Sequence, residues 1–131
     1  MRESRDTRLG IVLLLLLLAV VVAGCGVGPA TNEEKISKTA TTYLRALASG
    51  DTPTACAQLT SHARGEDCAR AMKERLSGLD PDALKGAADN SIEIDVDGDR
   101  ATAGLSEPEG AQFLLVKTDD EWRIASGYTL D

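Results

Sequence analysis

Residues 91–105, SIEIDVDGDRATAGL, have the sequence pattern of a β-hairpin. Ile92, Ile94 and Val96 alternate with acidic residues, which is the two-residue period of a strand with one buried face. The Asp-Gly-Asp sequence that follows supplies the residue types that a tight hairpin turn needs. The sequence therefore predicts two antiparallel strands, the second of them over residues 100–105.

Two further strands are predicted after this hairpin. Residues 107–110, EPEG, predict a turn, and residues 111–118, AQFLLVKT, form a strongly apolar segment. An Asp-Asp turn then leads into residues 121–126, EWRIAS, where Trp122 and Ile124 fall on one face. The carboxyl-terminal half is thus expected to form an antiparallel sheet of about four strands.

The amino-terminal half has a helical period instead. Thr31 and Glu34 match a capping box, and apolar residues then recur at helical spacing until Gly50, which predicts a helix of about 16 residues. Thr52-Pro53 predicts a second, shorter helix, with the threonine as its cap and the proline in its first turn.

Three more predictions complete this half of the chain. Residues 60–66 are polar and are expected to form a loop. Asp67 is expected to cap a third helix that ends at Leu76, and Asp80-Pro81 is expected to start a last helical turn that ends around residues 85–86. Helices followed by an antiparallel sheet predict an α+β domain in which the helices pack on the sheet.

The amino terminus has the three parts of a secretory signal peptide. Three arginines precede the apolar residues 9–23, and the sequence VAGC at 22–25 matches a lipobox. A lipobox predicts a diacylglyceryl group on the Cys25 thiol and cleavage just before it, so that residues 1–24 are the leader. An uncleaved transmembrane anchor is disfavoured, because fifteen apolar residues are fewer than the roughly 20 that span a bilayer. Ordinary cleavage near Cys25 is the other alternative.

Residues 25–32 are expected to form the lipidated cysteine and a flexible tether, and residues 33–131 a single domain. Two acyl chains on Cys25 would hold that domain at the membrane surface without a spanning helix. The chain from Cys25 onward has 11 basic and 19 acidic residues, a net charge of −8. This charge argues against binding to nucleic acid or to anionic lipid through charge.

Cys56 and Cys68 are the two cysteines that remain if Cys25 is lipidated. In an oxidising, extracytoplasmic setting we expect them to form a disulfide. Metal binding and redox catalysis are the alternatives. Eleven intervening residues do not make a C-x-x-C motif, and His62 is the single histidine that a zinc site could use. We expect no metal and no other cofactor.

Two stretches of the chain resemble the nuclear-transport-factor-2-like superfamily. They are residues 42–59, TYLRALASGDTPTACAQL, a helix that passes through a Gly-Asp turn into a second helix, and residues 113–126, FLLVKTDDEWRIAS, a hairpin with an acidic turn. The resemblance covers most of residues 33–130. It implies a cone-shaped fold, in which a long first helix and shorter helices lie against a strongly curved sheet, and a homodimer formed through that sheet. The chain is also similar to small secreted lipoproteins of actinobacterial type.

The superfamily contains isomerases, cyclases and dehydratases, which place an acid or an Asp-His pair inside the cone. No such motif can be matched here residue by residue, so no catalytic residue is assigned. His62 falls in the predicted polar loop, where we expect it to be solvated. Glu93 and Asp95 alternate with the apolar residues of the first strand, which predicts that they lie opposite the core.

Four aromatic residues are available to line a ligand pocket: Tyr43, Phe113, Trp122 and Tyr128. Tyr43 falls on the apolar face of the first helix and Trp122 on the apolar face of the last strand, so both are expected in the core. The two tyrosines are the polar aromatics that could reach a cavity.

The expected function is that of a lipid-anchored protein on the extracytoplasmic side of the cell membrane. It would bind a small ligand or an envelope partner through the open mouth of the cone, without catalysis. The alternatives are an enzyme of the isomerase, cyclase or dehydratase type and a purely structural envelope protein. A buried carboxylate or a buried His62 facing the sheet, with a raised acid pKa, would favour the enzyme.

Overall fold

The computed structural model describes residues 28–130. The predicted leader at 1–24 and the predicted lipid attachment site at Cys25 lie outside the described residues. Five helices come first in the described part: α1 (Asn32–Ser49), α2 (Thr52–Ala57), α3 (Ser61–Arg64), α4 (Cys68–Leu76) and α5 (Pro81–Asp89). Four strands follow them: β1 (Ile92–Asp97), β2 (Arg100–Leu105), β3 (Gln112–Thr118) and β4 (Glu121–Gly127). This is the predicted α+β arrangement.

Helix α1 begins with the predicted capping box. The Thr31 hydroxyl accepts a hydrogen bond from the Glu34 amide, and the Glu34 carboxylate accepts one from the Thr31 amide, each at 3.2 Å. The helix ends where Gly50 adopts a left-handed conformation, with φ of 75°. Its 18 residues exceed the prediction by about half a turn. Its buried side includes the predicted apolar stripe of Ile36, Ala40, Tyr43, Leu44 and Leu47.

The N-cap of helix α2 is Asp51 and not Thr52, so this prediction is wrong. The Asp51 carboxylate accepts hydrogen bonds from the amide and the hydroxyl of Thr54, at 3.3 Å and 2.6 Å. A carboxylate is a stronger acceptor than a hydroxyl, and its charge is favourable at a helix N-terminus. Thr52 therefore lies inside the first turn, where it is buried.

The loop predicted at residues 60–66 contains a helical turn, α3, so the loop prediction is wrong over those four residues. The Thr60 hydroxyl caps the turn by accepting a hydrogen bond from the Ala63 amide at 3.1 Å. A single turn is too short to show an apolar period in the sequence. His62 lies on this turn and is exposed.

The last two helices follow the prediction less closely at their ends. Helix α4 begins after Asp67 as predicted, but this residue has a positive φ of 54° and makes no side-chain cap. Helix α5 continues to Asp89, whereas the pattern predicted a turn ending near residue 86. Ala87 and Ala88 are buried in that extension, and α5 packs against α1. Tertiary packing thus extends a helix that local signals end early.

The four strands form one antiparallel sheet in the order β1-β2-β3-β4. Asp97 pairs with Arg100 across a two-residue turn, in which Gly98 has φ of 60°. The turn between β3 and β4 consists of Asp119 and Asp120, both with positive φ. The bounds of β2, β3 and β4 agree with the predicted ranges to within one residue, and β1 contains the predicted alternating residues.

The helices cover one face of this sheet. The buried strand residues on that face are Ala101, Ala103, Leu105, Phe113, Leu115, Trp122 and Ile124. Glu93 and Asp95 point away from it and are exposed, as predicted. Among residues 28–130, Leu114 is the one large apolar side chain left exposed, at 37%.

The segment between α2 and α3 covers part of the outer edge of β4. The Thr60 amide donates to the Ile124 carbonyl at 2.9 Å, and the Ile124 amide donates to the Gln58 carbonyl at 2.8 Å. These bonds form a short parallel bridge between Leu59 and Ile124. Gln58 is thereby held beside the sheet.

Candidate functional site

Three of the four aromatic residues fill the interior between the helices and the sheet. Tyr43, Phe113 and Trp122 are each at most 2% exposed. The rings of Tyr43 and Phe113 meet edge to face, with centroids 5.4 Å apart and planes at 89°. The prediction that Tyr43 and Trp122 belong to the core is therefore confirmed.

The hydroxyl of Tyr43 is a polar group within this core. It shares a hydrogen bond of 2.7 Å with the Thr129 hydroxyl and lies 3.9 Å from the sulfur of Met72. Burial raises the pKa of Tyr43 above 10.0, while the Thr129 bond and the positive charge of Arg75 act in the opposite direction. The hydroxyl thus has its partner inside the fold.

Carboxylates and the histidine lie at the surface of the described domain. Every Asp and Glu between residues 28 and 130 is exposed, and so is His62. The buried polar residues in that range are two threonines, Thr39 and Thr52. In the same range, no three His, Cys, Asp or Glu residues are grouped so that they could hold a metal ion. The observation that would favour the enzyme is therefore not found in residues 28–130.

Cys56 and Cys68 form the predicted disulfide, with their Cα atoms 6.1 Å apart. It connects α2 to the first residue of α4. Within the closed loop, the Arg64 Nε donates a hydrogen bond to the Cys56 carbonyl at 3.1 Å. The disulfide and this bond together hold the three short helices against one another.

An open cleft of about 330 Å³, which we call the hairpin cleft, lies between the first half of α1 and the β3–β4 hairpin. Its lining consists of Lys35, Lys38, Thr39, Thr42, Gln58, Asp120, Glu121, Trp122 and Arg123. Small-molecule sites in proteins usually measure roughly 300 to 1,000 Å³. The hairpin cleft is at the lower end of that range, which suits a compact ligand.

Hydrogen bonds join the two walls of the hairpin cleft. The Thr39 hydroxyl donates to the Lys35 carbonyl at 3.0 Å and lies 3.3 Å from the Trp122 carbonyl on the opposite wall. The Trp122 indole nitrogen donates to the Asn32 side-chain oxygen at 3.3 Å. The walls are therefore set by the fold and need no ligand to bring them together.

The two carboxylates that line the hairpin cleft already have cationic partners. Glu121 forms an ion pair with Arg123, and Asp120 lies 3.9 Å from the ammonium group of Lys117. Both pairs belong to the hairpin wall, so this wall carries little net charge.

The α1 wall carries two lysines that lack such partners. Among residues 28–130, no carboxylate oxygen lies within 4.0 Å of the ammonium group of Lys35 or Lys38. Glu34 precedes Lys38 by one turn, but its carboxylate is used in the capping box. A local positive charge of two therefore faces the cleft in an otherwise acidic domain.

Two other hollows are less suited to a specific ligand. A smaller one, of about 170 Å³, adjoins the hairpin cleft at Glu121 and Arg123 and includes Arg64. Another, of about 400 Å³, lies at the other end of β3 and β4, and no charged side chain lines it. Tyr128 lines this second hollow, so one of the two polar aromatics reaches a cavity and Tyr43 does not.

Comparisons with known proteins give no match: no family model, no curated protein and no solved structure matches this chain. Within residues 28–130, none of the helices is long and apolar enough to cross a membrane.

Most of the hairpin cleft was not predicted from the sequence. Lys35, Lys38 and Thr42 follow one another at intervals of three and four residues, which places them on one side of α1. A solvated helix face shows the same spacing, so the pattern alone does not indicate a site. The hairpin that carries Arg123 completes the cleft, and its position depends on tertiary packing.

Proposed function

We propose that this protein is a lipid-anchored cell-envelope protein that binds a small ligand in the hairpin cleft without catalysing a reaction. The anchor would be Cys25, at the end of the lipobox, and the domain would lie on the extracytoplasmic side of the cell membrane. The hairpin cleft supports the binding part of the proposal, because its walls are joined without a ligand and its volume of about 330 Å³ lies in the usual range of small-molecule sites.

The domain is proposed to be of the nuclear-transport-factor-2-like type. The order of its elements supports this, since helices precede a four-stranded antiparallel sheet and α1 packs across one face of that sheet. The cleft lies beside the first half of α1 and the hairpin turn, which corresponds to a mouth at one end of the sheet. Nothing in residues 28–130 favours the enzymatic alternative, so the proposal includes no reaction.

A pair of variants at adjacent positions of α1 tests whether ligands bind in this cleft. Thr42 lines the cleft and Thr41 does not, so Thr42→Trp should fill it and Thr41→Trp should leave it open. A panel of envelope metabolites and lipids is screened for compounds that raise the melting temperature of the full chain. A ligand of the cleft should stabilise the wild type and Thr41→Trp, each relative to its own ligand-free value, but not Thr42→Trp.

Two outcomes contradict the proposal. A compound that stabilises Thr42→Trp as well as the wild type binds elsewhere. A panel with no stabilising compound removes the small-ligand part of the proposal and directs the search to a protein partner by crosslinking.

A further inference from the structure

The two lysines on the α1 wall are neighbouring cations without an anionic partner among residues 28–130. Side chains three residues apart on a helix have Cβ atoms roughly 5 to 6 Å from each other, and like charges at this spacing destabilise the helix. Lys35 is half-buried at the cleft, which reduces the screening of its charge by water. An anion bound between Lys35 and Lys38 would remove the repulsion.

The neighbouring acidic side chains do not supply this anion. Glu34 is bonded to the Thr31 amide, Asp120 is beside Lys117, and Glu121 is paired with Arg123. None of their oxygens lies within 4.0 Å of the ammonium group of Lys35 or Lys38. The two ammonium groups are therefore open to an anion from outside residues 28–130.

The chemistry of the lining favours phosphate over a carboxylate. Ammonium groups bind phosphate and carboxylate alike as point charges, so the charge of the anion decides between the two. The one arginine of the hairpin cleft, Arg123, is already paired with Glu121 and also donates to the Trp122 carbonyl at 3.2 Å. A phosphomonoester carries about −1.5 to −2 charges at pH 7, which matches two ammonium groups.

The hairpin cleft lies near the predicted lipid anchor, so a membrane lipid could supply the phosphate group. Asn32 begins α1 and is bonded to Trp122 in the cleft wall. Asn32 lies seven positions after Cys25, and a chain of that length reaches at most about 25 Å. A domain anchored at Cys25 would keep this cleft close to the lipid headgroups.

We infer that the hairpin cleft binds a phosphomonoester between Lys35 and Lys38, carried either by a membrane lipid or by a free small molecule. This inference rests on the proposed function, because it names the ligand class of the same site. The domain as a whole is acidic, so the attraction is local, and it should weaken as salt is added.

Calorimetric titration of the full chain, purified in nonionic detergent, tests the inference. One arm uses inorganic phosphate and glycerol 3-phosphate, and the other uses mixed micelles containing phosphatidic acid, with phosphatidylcholine micelles as the blank. The variant K35Q/K38Q should bind the phosphate probes about tenfold more weakly or worse. The matched control is K73Q/K85Q, which removes two exposed lysines that do not line the cleft.

Binding in both arms would show that the cleft recognises the phosphate group itself. Binding to phosphatidic acid micelles alone would show that the ligand is a membrane lipid. The inference is overturned if the wild type binds no phosphate probe, if K35Q/K38Q binds as well as the wild type, or if the control loses as much affinity. Its failure is distinguishable from that of the proposed function. A different compound that stabilises the wild type but not Thr42→Trp would keep the site and reject phosphate as its ligand.

Discussion

The indole nitrogen of Trp122 donates a hydrogen bond to the side-chain oxygen of Asn32 over a distance of 3.3 Å. Asn32 is the first residue of α1 and Trp122 the second residue of β4, so the bond joins elements that lie 90 residues apart in the sequence. Trp122 is only 2% exposed, which leaves its N–H group little access to water. The bond fixes the start of α1 to the sheet at the edge of the hairpin cleft.

Replacing Asn32 with alanine should lower the free energy of unfolding by about 1 to 2 kcal/mol, because the buried indole N–H loses its acceptor. Asn32→Asp retains an oxygen at this position and should stay close to the wild type. Urea denaturation of the three chains measures the difference. Equal midpoints for Asn32→Ala and the wild type would show that the bond does not contribute.

Because of Tyr43, we expect the domain to lose stability at alkaline pH. Its pKa is raised in the fold by burial, so the unfolded chain releases this proton first as the pH increases. The contribution of Tyr43 to the free energy of unfolding is therefore fully present below about pH 10. It is lost as the pH rises through the folded-state pKa. Unfolding free energies measured between about pH 8 and 11 should fall more steeply for the wild type than for Tyr43→Phe.

The control for this experiment is Tyr128→Phe, which leaves Tyr43 and its bond to Thr129 in place. It should show the same alkaline slope as the wild type. A slope unchanged in Tyr43→Phe would assign the pH dependence to other groups.

Reduction of the disulfide between Cys56 and Cys68 should destabilise the domain. The two cysteines are 12 positions apart, and closing a loop of that size contributes about 3 kcal/mol in the chain-entropy model. Thermal unfolding with and without reductant measures the loss, and a metal chelator without reductant should have no effect. Free thiols on both cysteines in secreted material, detected by mass spectrometry, would contradict the prediction.

Two glycine substitutions should act in opposite directions. Gly127 has φ of 125°, and a Cβ atom there would clash with the Gln112 carbonyl oxygen. Gly127→Ala should therefore lower the free energy of unfolding by about 3 kcal/mol or more.

Gly86 is exposed within α5 and a Cβ atom there meets nothing within 4 Å. Gly86→Ala should therefore stabilise by about 0.5 to 1 kcal/mol. Denaturant titration of both variants tests the pair, and a neutral Gly127→Ala would contradict the steric argument.

The proposed lipid anchor predicts that Cys25→Ser releases the protein from the membrane. Cell fractionation should find the variant in the soluble fraction or in the medium, with the melting temperature of its domain unchanged. Intact-mass analysis of the wild type should show a diacylglyceryl group on the cysteine. Full membrane retention of Cys25→Ser would falsify the lipobox assignment.

The features that were predicted correctly are those whose causes lie within a few residues. The capping box at Thr31 and Glu34 and the left-handed Gly50 bound α1 through contacts with the neighbouring backbone. Alternation of apolar and acidic residues likewise predicted β1, because successive strand side chains point to opposite faces. Local rules were less reliable where two good caps adjoin, as at Asp51 and Thr52.

The features that were missed depend on contacts between distant parts of the chain. The second half of α5 is stabilised by its packing on α1. The sequence of α5 alone does not predict that the helix continues to Asp89. The hairpin cleft combines Lys35 with Arg123, which meet only when β4 is bonded to the start of α1. No local pattern contains that information.

The two outer edges of the sheet are protected against aggregation by different means. Residues 58–60 occupy part of the β4 edge, where their backbone groups are bonded to Ile124. No backbone segment of the described residues is bonded to the outer edge of β1. This strand exposes Glu93, Asp95 and Asp97, so a second copy that aligned its own β1 there would bring like charges together. If the lipid anchor proposed above is present, copies of this domain are confined to the plane of a membrane. A sheet with one partly covered edge and one repulsive edge can be crowded there with less tendency to join its neighbours into fibres.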